Sequence, residues 1–236
     1  MEQYDNFSRV YDLFSTNYDW CYTFIEEAMR DYADNPKSIL ELACGTGNVI
    51  HHFAGKYEVS GLDISASMLE LARKKLPDVP LFQMNMTDFS LDRKYDVILC
   101  MYDSINHLLQ YEDWIKTFEC VRNHLNPRGI LVFDMNTMER LDRLAQSPGV
   151  LQQEGDSYIA VRLIKKDKNI MNWNVKIFQH VKDNLYEMSE DNIEETSFSP
   201  QKVEEDLKTL FTEVHLCTIE NGTNMVRGRV FFICEI

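Results

Sequence analysis

The chain lacks a basic field. Its 236 residues hold 24 Lys and Arg against 38 Asp and Glu, for a net charge of −14 and a pI of about 4.8. A general binder of nucleic acid or of an anionic membrane surface would carry the opposite sign, so those classes are disfavoured. Metal-site spacing is absent too. The six cysteines stand at 21, 44, 100, 120, 217 and 234, with no C-x-x-C pair and no Cys/His cluster of zinc type. Cys100 in Val-Ile-Leu-Cys-Met and Cys234 in Phe-Phe-Ile-Cys sit in apolar runs, as buried reduced thiols do. Cys44 falls in a loop, but no neighbour in sequence would lower its pKa, which makes it structural. No apolar run approaches the roughly 18 residues that span a bilayer. The polar, acidic start Met1-Glu-Gln-Tyr-Asp-Asn-Phe7 is unlike a signal peptide, which leads to the expectation of a cytoplasmic protein. There is no repeat and no low-complexity linker.

With 44% apolar residues, the length suits one large α/β domain or a domain with a small insertion. The most informative segment is Ser38-Ile-Leu-Glu-Leu-Ala-Cys-Gly-Thr-Gly-Asn48, an apolar strand running into a Gly-rich turn. A second apolar run, Tyr57–Leu62, ends in Asp63, eighteen positions after Gly45. A tight turn after one parallel strand and a carboxylate at the tip of the next is how doubly wound folds hold a nucleoside. A dinucleotide site wants a third glycine in G-x-G-x-x-G. Here Gly45-Thr-Gly47 is followed by Asn48, Val49 and Ile50, and Glu41 before the turn would repel a pyrophosphate. A cationic, phosphate-free nucleoside escapes that repulsion, and S-adenosylmethionine is one. For Asp63 alone, the alternative is a carboxylate at a helix N-terminus beside Ser65.

Periodicity predicts helix over 1–35, with Tyr4, Phe7, Tyr11 and Phe14, then Trp20, Phe24, Ala28 and Tyr32, at three-to-four spacing before Pro36. Strands are expected at 38–43, 57–62, 80–84, 94–101 and 129–135, and helices at 47–54, 65–76 and 111–125. Ser65 is the expected N-cap of the second of these helices, which also carries a Glu70–Lys74 pair. Strands alternating with helices imply a parallel sheet with crossovers. Asn126-Pro-Arg-Gly129 is a turn into Ile130–Phe133, which ends at Asp134 and Asn136. After about 150 the texture changes. Segments 156–165, 170–182 and 184–198 read as antiparallel strands, then come a helix over 201–210 and strands at 213–220 and 228–235. The expected architecture is α/β: a Rossmann-like, doubly wound seven-stranded sheet with a C-terminal antiparallel hairpin and a small antiparallel β insertion. Residues 1–150 and 199–236 would form the main domain and 151–198 the insertion.

The order Glu41-Leu-Ala-Cys-Gly-Thr-Gly47, then Gly61-Leu-Asp-Ile-Ser65, then the Leu125-Asn-Pro-Arg-Gly129 turn resembles a class I S-adenosylmethionine-dependent methyltransferase. The N-terminal Tyr4-Asp-Asn-Phe-Ser-Arg-Val-Tyr-Asp12 resembles the bacterial small-molecule branch, which includes glycine- and amino-sugar-N-methyltransferase-like enzymes. The resemblance covers most of the chain and implies S-adenosylmethionine as cofactor, with no metal. It implies backbone approach at Gly45 and Gly47, beside Ala43, to the methionine part of the cofactor. Glu41 would lie near the ammonium end and Asp63 under the ribose hydroxyls. Ile64 and Met68 would pack on adenine, although Met68 serves equally as core. Asn85 and Met86 would meet the adenine edge, Cys100 and Met101 would floor the pocket, and Tyr11 would close over it. Ala43 and Arg128 stand where glycine is common, Asn85 where aspartate is common, and His107 where an aromatic is common.

Met101-Tyr-Asp-Ser-Ile-Asn-His107 follows the fourth strand, where doubly wound sheets place substrate. Asp103 and Asn106 are expected to orient the acceptor; His107 is either a base suited to neutral pH or a pocket-lining imidazole. Asp134 and Asn136 are expected to face the same crevice. Tyr158, Arg162 and Trp173 would roof it or pack elsewhere. His51 and His52, adjacent on a helix, point apart and belong to the surface. The acidic run Glu190–Glu195 is expected to be a solvated edge or turn.

The resulting expectation is in-line methyl transfer to N or O of a small-molecule acceptor, governed by proximity and orientation. The weighed alternatives are a nucleic-acid or tRNA methyltransferase, a non-catalytic S-adenosylmethionine-binding regulatory module and a nicotinamide oxidoreductase. The expected partners are a small-molecule acceptor, no general nucleic-acid binding and no membrane; a homodimer is compatible with the sequence but not specified by it.

Overall fold

A computed structural model describes residues 6–14, 18–218 and 228–236. Two helices, α1 (Ser8–Phe14) and α2 (Asp19–Tyr32), occupy the predicted N-terminal helical region; Tyr4 and the rest of 1–5 lie outside the described residues. Then β1 (Ser38–Leu42), α3 (Asn48–Phe53), β2 (Glu58–Asp63), α4 (Ala66–Lys75), β3 (Leu81–Gln83) and β4 (Tyr95–Cys100) alternate as the pattern requires. A 3₁₀ turn at Ser104–His107 precedes α5 (Tyr111–His124) and the long β5 (Leu125–Asn136). Next come α6 (Met138–Ala145), β6 (Val150–Glu154), β7 (Ser157–Lys165), β8 (Met171–Lys182) and β9 (Leu185–Glu195). The last elements are α7 (Pro200–Leu210), β10 (Glu213–Cys217) and β11 (Arg229–Glu235).

The main sheet has seven strands in the order β10-β11-β5-β4-β1-β2-β3. Pairing is parallel from β5 through β3, and β11 runs antiparallel to both β5 and β10. This is the expected Rossmann-like sheet with its C-terminal hairpin. The central strands are apolar on both faces because both are covered, and their two-residue alternation sorts side chains into two cores. Leu40, Leu42, Ile98, Leu131 and Phe133 pack with Trp114, Phe118 and Val121 of α5 and with Val203 and Leu207 of α7. Ile39, Val97, Leu99, Ile130 and Val132 pack with Ile25 and Met29 of α2 and with Ile50 and Phe53 of α3. The Asn126–Gly129 turn bulges out of β5: pairing with β4 jumps from Tyr95–Leu125 to Val97–Ile130, with Arg128 at φ 67°.

The second sheet, β6-β7-β8-β9, is antiparallel throughout. One face lays Ile159, Val175, Ile177 and Ile193 against Val10 of α1. Two elements differ from the sequence reading. Helix α6 was not anticipated, although Met138, Leu141, Leu144 and Ala145 recur at helical spacing and pack against Leu163 and Met171; the Thr137 hydroxyl caps it by accepting from the Arg140 amide at 3.2 Å. Strand β6 was missed because all five of its residues are exposed on an edge, so no alternation marks it. Strand β10 ends at Cys217, and the expected continuation over 219–220 lies outside the described residues.

Candidate active site

The site lies at the carboxyl ends of the parallel strands, where β1 and β4 diverge to opposite neighbours. The turn after β1 places three residues in the left-handed region: Ala43 at φ 50°, Gly45 at 54° and Gly47 at 79°. Ala43 pays roughly 1 kcal/mol of strain there. The two glycines differ in surroundings. A Cβ on Gly45 would meet nothing within 4 Å, whereas one on Gly47 would stand 2.8 Å from Leu76 Cδ1 and 3.5 Å from Ala72 Cβ. Gly47 is the N-cap of α3 and lets that helix pack near the end of α4.

Two buried carboxyl groups flank this turn. Asp63 accepts from the Gly45 amide through Oδ2 and from the Ser65 amide through Oδ1, both at 2.8 Å. Burial raises its pKa, and those amides oppose the shift. Glu41, fully enclosed, accepts from the Ile50 amide at 3.3 Å. Burial pushes its carboxyl well above the usual carboxylate range; the Ile50 amide opposes and the Asp63 charge adds. Ser65 caps α4 as expected, its hydroxyl accepting from the Met68 amide at 3.3 Å.

A cavity of about 410 Å³ opens above these groups. Glu41, Ala43, Gly45 and Asp63 form its base, with Ile64 and Met68 along α4 and Asn85 and Met86 after β3. Met101, Tyr102, Ser104 and His107 form the side beyond β4, and Tyr11 and Tyr18 lie over it from the N-terminal segment. Asp12 fastens that segment: its carboxylate accepts from Thr46 Oγ1 at 2.6 Å, Asn48 Nδ2 at 2.8 Å and Lys75 Nζ at 2.9 Å. On the other side, Asp191 of β9 accepts from the Asn6 and Phe7 amides at 3.1 and 2.6 Å.

Of the twelve residues expected around the cofactor, ten line this cavity; Gly47 and Cys100 do not. Gly47 turns to the helix packing just described. Cys100 falls on the opposite phase of β4 from Met101 and joins the core with Leu42 and Ile98. Asn85 lines the cavity, but its side-chain carbonyl already accepts from the Thr87 amide at 3.0 Å, so one lone pair is used locally.

His107 also lines the cavity. Its Nδ1 lies 3.1 Å from the Glu194 carbonyl oxygen. A carbonyl only accepts, so Nδ1 carries the hydrogen and the neutral ring keeps its lone pair on Nε2. Asp103 and Asn106, expected to orient an acceptor, face away from the cavity. Asn106 is fully buried and spends its side chain on backbone: Nδ2 donates to the carbonyls of Asn136 (3.1 Å) and Thr196 (2.6 Å), and Oδ1 accepts from the Asn136 amide (2.9 Å). Asp103 meets Arg229 NH1 at 2.5 Å and accepts from Asn136 Nδ2 at 2.8 Å. Tyr102 and Asp103 are consecutive left-handed residues, φ 60° and 53°, and the turn they make carries this inward carboxylate.

Asp134 and Asn136 are likewise interior to β5, at 0% and 1% exposure, and do not face the crevice. Arg229 bridges Asp134 to Asp103. Among the described residues, Asp134 Oδ1 has no partner, and burial raises that carboxyl against the pull of Arg229. Arg140 donates from Nε to Asn136 Oδ1 at 2.7 Å, and burial lowers its pKa to about 10. The acidic run lies on an edge strand but is solvated on one face only: in β9, Glu190 and Asn192 are exposed, while Asp191 and Glu195 point inward at 5% and 2% exposure because a strand alternates faces. Trp173 does not roof the cavity but donates to Glu195 Oε1 at 2.7 Å; Tyr158 faces Tyr186, and Arg162 is exposed. Glu195, Arg229 and Arg140 escaped the sequence reading. The only available signal for the first was its parity with Ile193.

His51 and His52 do diverge: His51 is exposed, and His52 stacks on Tyr22 at 4.0 Å. Burial raises the Cys44 thiol well above its usual range, keeping it a neutral thiol. The described residues hold no group of three or more His, Cys, Asp or Glu arranged for a metal ion, and no helix among them is long and apolar enough to cross a membrane.

Residues 39–129 match the family model of a methyltransferase domain. The dTDP-3-amino-3,4,6-trideoxy-alpha-D-glucopyranose N,N-dimethyltransferase of Streptomyces venezuelae is 35% identical over 130 residues, so the match takes in 53% of this chain and about half, 55%, of that relative. The putative methyltransferase YqeM of Bacillus subtilis is 28% identical over 92% of this chain and 89% of its own length. Among solved structures, an S-adenosylmethionine-dependent methyltransferase from Clostridium acetobutylicum superposes with a TM-score of 0.80 over 100% of this chain and 99% of that one, at 22% identity. Residues 39–129 thus resemble a methyltransferase domain, and the chain as a whole shares the Rossmann-like fold of that solved methyltransferase.

Proposed function

We propose that this protein transfers the methyl group of S-adenosylmethionine to a nitrogen of a small-molecule acceptor. The observation that carries the reading is the pair of buried carboxyl groups, Glu41 and Asp63, at the base of a cavity whose Gly45 leaves open space where a side chain would stand. The cavity fits the cofactor: two acidic groups suit its ammonium and ribose hydroxyls, and no pyrophosphate has to be matched. Glu41 would hold the ammonium, Asp63 the ribose, Ile64, Met68, Asn85 and Met86 the adenine, and Ala43, Gly45 and Met101 the methionine chain. When bound, the cofactor supplies an electrophilic methyl on a sulfonium whose departure is neutral.

The protein's own work is alignment and exclusion of water. Tyr11 and Tyr18 cover the cavity while Asp12 secures them to the glycine turn. His107, held on the cavity wall by the Nδ1 bond to the Glu194 carbonyl, would take the acceptor's ammonium proton. Asp103 and Asn106 act by shaping the turn that presents Tyr102 and His107. The relatives named as sugar N,N-dimethyltransferases favour nitrogen over oxygen as the target. Residues 151–198 would then be the acceptor cover, since β9 holds the acceptor turn.

The reading goes with a cytoplasmic enzyme without general nucleic-acid affinity. It also includes a homodimer, which sedimentation equilibrium checks. The direct test of the activity is formation of S-adenosylhomocysteine from S-adenosylmethionine over a panel of amines and amino sugars. Turnover of at least one amine supports the reading. Turnover of hydroxylated compounds alone would overturn the nitrogen assignment.

A further inference from the structure

The acceptor turn is gripped by three successive residues of the second sheet and its exit. The Glu194 carbonyl accepts from His107 Nδ1 at 3.1 Å. The Thr196 amide donates to the Asn106 carbonyl at 2.9 Å, and Asn106 Nδ2 returns a bond to the Thr196 carbonyl at 2.6 Å. Between them, Glu195 turns inward to Asp103. One donor, Asn136 Nδ2, reaches both carboxyl groups, Asp103 Oδ2 at 2.8 Å and Glu195 Oε2 at 3.2 Å. The amide NH2 of Asn136 has a hydrogen for each, and spanning both brings the two carboxyl groups close enough for like charges to repel and for one of them to be favoured as the neutral acid.

The charges around Glu195 settle which group is neutral. The turn presents Asp103, β5 presents Asp134, α6 presents Arg140 and β11 presents Arg229. Arg143 of α6 stands beside Arg140 as a further cation, so the three carboxyl groups are told apart by their contacts. Arg229 contacts Asp103 and Asp134 directly. Glu195 instead receives N–H groups from Trp173 and Asn136, both neutral donors. Burial, then the Asp103 charge and hydrogen bond, push the Glu195 carboxyl well above its ordinary range. Glu195, held by two neutral donors, is thus the carboxyl group of the three placed to carry a proton toward Asp103.

We propose that Glu195 is a positioning residue for methyl transfer: as a neutral acid hydrogen-bonded to the Asp103 carboxylate, it locks the 102–107 turn and so fixes the His107 tautomer that faces the acceptor. This rests on the methyltransferase reading only for its purpose, not for its chemistry. Loss of the shared proton places two like charges side by side and pushes β9 off the turn, releasing the Glu194–His107 bond. Glutamine at 195 keeps a donor for Asp103 and cannot ionise, so Glu195→Gln preserves the lock at high pH, whereas Glu195→Ala has none.

The test combines infrared difference spectra with nitrogen-15 NMR of His107 in wild type, Glu195→Gln and Glu195→Ala, across a pH series. Wild type minus Glu195→Gln is expected to show a protonated carboxyl at neutral pH. As pH rises and that band disappears, the His107 signal of the wild type should move from the Nδ1–H tautomer to a mixture. Glu195→Gln should keep Nδ1–H throughout, and Glu195→Ala should show the mixture at every pH. S-adenosylhomocysteine affinity should stay within about twofold of wild type in Glu195→Gln, which keeps the turn in place, and should weaken in Glu195→Ala, which releases a turn whose Tyr102, Ser104 and His107 line the cavity. Absence of the band, or a Glu195→Gln protein as disordered at His107 as Glu195→Ala, overturns the proposal. A wild type that shows the band and the coupled tautomer but binds no S-adenosylhomocysteine overturns the cofactor reading instead.

Discussion

Alanine replacement at Gly45 and at Gly47 separates two jobs that sit two residues apart on one turn. Both positions are left-handed, so each alanine costs roughly 1–2 kcal/mol in backbone strain. At Gly47 the new methyl would stand 2.8 Å from Leu76 Cδ1, a methyl at the free end of a buried side chain that must turn aside. Overpacking of that kind adds roughly 1 kcal/mol, at the low end of its range. The total for Gly47→Ala is about 2–3 kcal/mol, which in a chain of this size lowers Tm by about 4–12 °C. At Gly45 the methyl meets no protein atom within 4 Å and projects into the cavity, so strain alone applies and Tm falls by about 2–8 °C. The difference appears in binding. Gly45→Ala should weaken S-adenosylhomocysteine by at least about tenfold, while Gly47→Ala loses only a few-fold. Thermal melts with and without the nucleoside, beside calorimetric titration, read both quantities. Normal binding in Gly45→Ala, or a Gly47→Ala protein of wild-type Tm that no longer binds, would refute this division of labour.

Glu41→Gln tests the buried acid. The folded-state pKa of Glu41 is raised, so its contribution to stability is fully present below the unfolded value and is lost as pH rises through the folded one. The variant should therefore gain on wild type in urea unfolding as pH rises from 5 to 8, and a gap that widens toward acid would contradict the burial argument. Arg229→Met leaves Asp103 and Asp134 buried without their shared cation and should destabilise by about 3–5 kcal/mol, recovering in part as pH falls; a neutral substitution would mean the cluster is wet.

The main sheet was legible because its strands are enclosed on both faces and so appear as continuous apolar runs between helical periods. Ser38–Leu42 and Val97–Cys100 needed nothing more. The cofactor end was legible for a related reason: Glu41, Gly45 and Asp63 lie at strand tips whose spacing the fold dictates. The acceptor side was not. Asp103 and Asn106 look like exposed ligands in sequence, yet the left-handed pair Tyr102–Asp103 turns them inward, Asp103 to Arg229 and both to Asn136, partners far along the chain. Glu195 was hidden within an acidic run that alternates between solvent and interior. No local pattern marks a carboxyl group whose partners come from β8, β5 and the acceptor turn. Gly47 and Cys100 show a smaller limit: each stands one step out of phase with cavity-lining neighbours, and only packing decides which way it faces.

The central claim is that the cavity above Glu41 and Asp63 holds the sulfur nucleoside. Calorimetric titration of wild type and Asp63→Ala with S-adenosylhomocysteine, with NAD as control, tests it most directly. The account predicts micromolar binding by wild type, none of NAD, and a loss of at least about tenfold in a folded Asp63→Ala protein, as removal of a charged hydrogen-bonding partner implies. No binding by wild type, or equal binding by the variant, would contradict it.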